Sequence, residues 1–162
     1  MAEYRLKTLL EMRERAEEAA KEAFARAMVT LRQEEQRLKE LEEELERMIE
    51  DRKRRREEYS QKLATGEMKV TDQSSAYRYI ERLKEKESEQ KGRIDGQREH
   101  LREAEKVVKK AQDALILATQ DLKALQKHKE KWLEERKKAR QIREEDDLDE
   151  IAQTIHTFQG KN

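Results

Sequence analysis

The sequence has 162 residues, of which 47% are charged and 34% hydrophobic, with only one Trp, four Tyr and two Phe. So little apolar surface cannot fill a broad interior, and the excess of Glu, Lys, Arg, Leu and Ala is that of long helices joined along a narrow seam. Basic and acidic side chains number 38 each, so no net field draws the chain to nucleic acid or an anionic membrane.

The opening stretch "MAEYRLKTLLEMRERAEE" lacks the uninterrupted apolar run of a signal peptide, and no segment approaches a membrane span of about 18 apolar residues. With no Cys in the chain either, a cytoplasmic protein is expected. From Leu6 onward a heptad frame holds. Leu10, Phe24, Leu31, Leu38, Leu45 and Tyr59 share one core position, and Leu6, Ala20, Ala27, Leu41 and Met48 share the other. This period of 3.5 residues predicts a first helix over about 3–65. Within it "DRKRRREE" (51–58) is the densest basic run, but its flanking acids and the "EKESE" segment facing it argue for pairing within the chain rather than a nucleic-acid patch.

The charge rhythm is lost in "LATGEMKVTDQSSAYRYI" (63–80). Gly66 suits a helix C-cap, Thr71 an N-cap, and Asp72 the positive end of a new helix dipole. A stop followed at once by a start predicts a hairpin tip over about 66–71. Tyr59, Tyr77 and Tyr79 gather around it, where no deep core requires aromatic residues.

The second helix is predicted over about 72–157. Ile80, Ile94, Leu101, Val108, Leu115 and Leu122 form one seam row, with Leu83, Ala104, Ala111, Ala118, Leu125, Trp132 and Ala139 as its partner row. Gly92 and Gly96 fall on its outer face, where local bending is one expectation. An antiparallel register in which facing residue numbers sum to about 142 sets Leu10 by Trp132, Leu41 by Leu101, Met48 by Ile94, Arg55 by Glu87 and Arg52 by Gln90; a register seven lower is the alternative. The fold class is therefore all-α, an antiparallel coiled-coil hairpin whose second helix overhangs the first at the C-terminus. The overhang includes "IREEDDLDEIAQTIHTFQ" (142–159), where Leu148, Ile151, Ile155 and Phe158 repeat at helical spacing with no intramolecular seam to bury them.

Catalysis finds no support. A two-helix hairpin offers no enclosing pocket, His100, His128 and His156 are scattered, and neither an H-E-x-x-H pair nor a glycine-rich phosphate loop occurs. No enzyme, metal or cofactor is expected.

The chain resembles the type III secretion stalk family, flagellar FliJ and its injectisome counterparts YscO or SctO. The likeness rests on the charged first helix, the Gly-containing tip, "AYRYIERL" after it, "KHKEKWLEE" (127–135) and "DLDEIAQTIHTF" (147–158). Arg52 and Arg55 stand where flagellar members carry apolar or aromatic residues, which favours the injectisome branch. The resemblance implies a non-enzymatic coupling stalk at the cytoplasmic side of the inner membrane. Its termini would enter the hexameric secretion ATPase through Leu6, Leu9, Trp132, Leu148, Ile151 and Ile155. Tyr59, Tyr79 and Leu83 near the tip would meet the cytoplasmic ring of the export gate. Family members are also associated with export chaperones, and the free protein is expected to be a monomer. Two other readings remain: a homodimeric coiled-coil rod, and a helical chaperone or adaptor with no ATPase partner.

Overall fold

The computed structural model describes residues 3–160, and within them the chain forms two helices and no strand. Helix α1 spans Lys7–Ala64 (58 residues) and helix α2 spans Val70–Gly160 (91 residues). They run antiparallel as a helical hairpin, the arrangement expected of two heptad-patterned segments separated by a tight tip.

The tip follows from local chemistry. Gly66 adopts φ 75°, a left-handed conformation that costs an L side chain about 1 kcal/mol or more. Around it the Glu67 amide donates to the Lys62 carbonyl at 3.0 Å and the Gly66 amide to that of Leu63 at 3.4 Å, the two bonds of a Schellman C-cap. Helix α2 begins one residue before the expected cap at Thr71. Lys69 is the N-cap, and its amide donates to the Asp72 carboxylate at 3.3 Å, the backward half of a capping box. Asp72 thus does what its position at the helix dipole predicted, but for a cap two residues earlier than Thr71.

The hairpin comprises two compact units, one formed by Glu22–Asp113 and the other by Met1–Lys21 with Ala114–Asn162. In the first, the tip-proximal unit, Ala27, Ile80, Ile94 and Ala104 are buried in the seam. Between these apolar layers the seam is polar: Glu87, Gln90 and Gln97 are as buried as the aliphatic residues around them. Each is satisfied across the hairpin, as buried polar groups must be. Gln90 Nε2 donates to the Leu41 carbonyl at 3.0 Å, Gln97 Nε2 to the Glu34 carbonyl at 3.1 Å and to the Glu34 carboxylate, and Arg52 Nε to Glu87 at 2.9 Å.

These contacts decide the register. The facing pairs Leu41–Gln90 and Glu34–Gln97 sum to 131 and Arg13–Asp121 to 134, nearer the lower of the two expected registers than 142, while the long Arg52 side chain reaches Glu87 at an intermediate sum of 139. Glu87 therefore takes Arg52, not Arg55. Gln90 takes a backbone carbonyl, not Arg52. Arg55 instead pairs with Asp51 on its own helix at 3.0 Å, so the basic run is neutralised within the chain along much of its length. Gly92 and Gly96 lie in uninterrupted helix, with nothing within 4 Å of where a Cβ would stand.

In the terminal unit Tyr4, Leu10 and Leu122 are buried, and Arg13 pairs with Asp121 at 2.7 Å. A sum of 142 would have set Arg13 against Lys129 and Tyr4 against Lys138. The lower register replaces a like-charge encounter with an ion pair and gives Tyr4 aromatic neighbours. From Lys137 to Gly160 every residue of α2 is exposed, the predicted overhang.

Candidate partner-binding surfaces

At the tip, Tyr59, Leu63 and Met68 from the α1 end and the turn face Ala76, Tyr77 and Ile80 from the first turns of α2 around an open groove of about 340 Å³. The Schellman turn brings these residues together by reversing the chain within five residues. Tyr77 is 68% exposed, a large aromatic left in water. Arg56, Glu81 and Lys84 rim the groove.

The three expected gate-contact residues all lie near the tip, in different surroundings. Tyr59 belongs to the groove. Tyr79 lies outside its lining, with the guanidinium groups of Arg55 and Arg82 at 5.2 and 5.9 Å from its ring centroid. Leu83 is half-buried. Arg55 faces both tyrosines: the Asp51 carboxylate foremost, then the charge that Tyr79 and Tyr59 carry once ionised, raise its guanidinium above the ordinary arginine value.

At the terminal end the central residue is one the heptad frame could not find. Tyr4 is 7% exposed, its hydroxyl hydrogen-bonded to His128 Nδ1 at 2.5 Å and its ring 5.2 Å from that of Trp132, tilted by 59°. Heptad counting places residue 3, not residue 4, in line with Leu10. Residues 3–6 are not α-helical, and a turn closed by the Lys7 amide on the Tyr4 carbonyl swings Tyr4 inward. The available signal was an aromatic residue at the helix start facing an aromatic on the return arm.

Trp132 is half-buried between Tyr4 and the Arg136 guanidinium, which lies 5.0 Å from its centroid. These rings floor an open groove of about 430 Å³ whose walls carry Lys7, Lys129, Lys137 and Arg140 against a single acid, Glu3. Leu6 and Leu9 are half-buried beside the seam. Leu148, Ile151 and Ile155, at 65, 55 and 53% exposure, lie farther along α2 with Phe158 and share no contact with Trp132. The six expected ATPase-contact residues thus divide into a packed group and a bare one.

Both grooves are shallow and open, and among the described residues no three His, Asp or Glu side chains converge as a metal site. No described helix is long and apolar enough to cross a membrane.

A comparison with protein families matches the YscO-like protein family over residues 1–162. The chain belongs to the YscO-like family. Membership places it among the proteins of type III secretion systems, in a family of stalk-like components of the apparatus. Among solved structures it is similar to CT670 from Chlamydia trachomatis, a proposed YscO homolog, with a TM-score of 0.82 and 21% identity over 100% of this chain and 99% of that one. At that identity the likeness establishes the fold, and it extends over the whole YscO-like hairpin. No curated protein matches the sequence.

Proposed function

We propose that this YscO-like chain is a non-enzymatic coupling stalk of a bacterial type III export apparatus, acting in the cytoplasm beside the inner membrane. Its terminal end enters the central pore of the hexameric secretion ATPase and its tip meets the cytoplasmic ring of the export gate. The observation that carries the reading is the fully exposed run of α2 from Lys137 to Gly160, whose Leu148, Ile151, Ile155 and Phe158 have no intramolecular partner. A stripe of that kind is stable in water only at a cost that a surrounding sleeve removes. The tip groove supplies a second, chemically different surface, as a component joining two rings requires. Export chaperones are further candidates for the exposed stripe.

The test is reconstitution with the cognate secretion ATPase. Adding the chain is expected to promote hexamer formation and raise ATP turnover, and Leu148→Asp with Ile155→Asp to abolish both while circular dichroism retains the helical signal of the paired arms. Undiminished stimulation by that variant would refute insertion through the overhang.

A further inference from the structure

The overhang carries a charge pattern that α2 cannot satisfy by itself. From Arg136 to Arg143 there are five basic residues and no acid; from Glu144 to Glu150 there are six acids and no base. On a single helix only neighbours three or four apart can pair. Arg140 can reach Glu144, and Arg143 can reach Asp147. Glu145, Asp149 and Glu150 have no basic residue at those spacings, and Glu145–Asp149 and Asp146–Glu150 are like charges four apart, which destabilise a helix. All these residues beyond Arg136 are exposed, and none of the ion pairs that join the two helices, Arg13–Asp121, Arg52–Glu87 and Arg98–Glu42, involves them.

The pattern is self-complementary. Laid antiparallel about Glu144, two copies bring each basic block against the other's acidic block. The same alignment sets Leu148 of one copy over the aliphatic stem of Arg140 of the second, Ile151 over that of Lys137, and Ile155 over Leu133, itself 50% exposed. Leu133, Lys137, Arg140, Leu148, Ile151 and Ile155 fall on one face of α2 by their spacings of three and four. Arg140 and Arg143 of both copies surround the two Glu144 carboxylates at the dyad.

We infer that two copies of this chain associate reversibly and antiparallel through residues 133–155 of α2. The interface is isologous, so it closes at a dimer. The expected monomer is the dilute form. The pairing stands independently of the coupling-stalk reading, although both use the same stripe, so a paired chain would withhold it from an ATPase ring.

Charge-swapped variants test this by sedimentation equilibrium of the full chain. Wild type is expected to pass from 19.5 kDa toward twice that mass as concentration rises, with association weakened about tenfold or more between low and high salt, because the pairing is between exposed charges. One variant carries Lys137→Glu, Lys138→Glu, Arg140→Glu and Arg143→Glu; a second carries Glu145→Lys, Asp146→Lys, Asp149→Lys and Glu150→Lys. Each alone is expected to remain monomeric, and an equimolar mixture to form a heterodimer, a rescue that mere unfolding of the overhang could not produce. Wild type that stays monomeric up to hundreds of micromolar would overturn the pairing and leave the stripe to another protein. A dimer unaffected by either variant, or a mixture that fails to associate, would equally overturn it.

Discussion

Arg52 on α1 and Glu87 on α2 form a chelating ion pair in the seam, Arg52 Nε lying 2.9 Å from each carboxylate oxygen. With side-chain exposures of 17% and 8%, it is the least solvated ion pair among the described residues. Breaking one side leaves a desolvated charge without its partner. Arg52→Ala is expected to destabilise the tip-proximal unit by on the order of 3 kcal/mol, whereas Arg52→Met with Glu87→Met should be near neutral. Thermal unfolding followed at 222 nm checks both; equal losses from single and double variants would show that the pair contributes only packing.

The terminal unit has its own reporter. Tyr4→Phe removes one hydrogen bond, to His128, and should lower stability by about 1 kcal/mol, while Tyr4→Ala also removes the ring against Trp132 and should cost about 3 kcal/mol. Because the chain has a single Trp, its fluorescence reads this unit alone. Tyr4→Ala is expected to shift Trp132 emission to the red and bring forward a transition seen by fluorescence, with the Arg52–Glu87 unit less affected. Unchanged emission would mean that Tyr4 does not cover Trp132 in solution.

Glycines separate into two kinds. Gly66→Ala forces a Cβ into the left-handed region and should cost about 1 kcal/mol or more at the tip. Gly92→Ala and Gly96→Ala meet no atom within 4 Å and should each stabilise α2 by about 0.5–1 kcal/mol. Melting temperatures of the three variants give opposite signs if the assignments hold. A destabilising change at position 92 or 96 would point to a need for local bending.

Tip variants distinguish recognition from packing. Tyr79→Ala with Leu83→Ala is expected to preserve helicity and impair export, and Tyr77→Ala, at a residue 68% exposed, to cost less than about 0.5 kcal/mol of stability. Circular dichroism beside a secretion assay reads both; gross unfolding of the double variant would make Tyr79 and Leu83 structural residues.

Much of this molecule was legible in one dimension. A helical seam depends only on which residues recur every 3.5 positions, and Leu10, Ala27, Ile80, Ile94, Ala104 and Leu122 are buried where that count put them. The tip was equally local: Gly66 stops one helix through its own backbone freedom, and Asp72 starts the next within a turn. The bare stripe of Leu148, Ile151 and Ile155 followed from α2 outlasting α1. Register was different, because a heptad pattern repeats and two alignments seven residues apart bury the same apolar rows. Only the cross-helix contacts distinguish them: Gln90 and Gln97 reaching the carbonyls of Leu41 and Glu34, and Arg13 finding Asp121 rather than Lys129. Tyr4 was likewise beyond periodicity, since it precedes the first helical residue and reaches the seam through a turn. Composition and period determine that the chain forms two seam-bearing helices, and Gly66 and Asp72 place the tip between them; those are local properties. Which residue meets which is settled by directional, desolvated polar contacts that exist only once both helices are side by side.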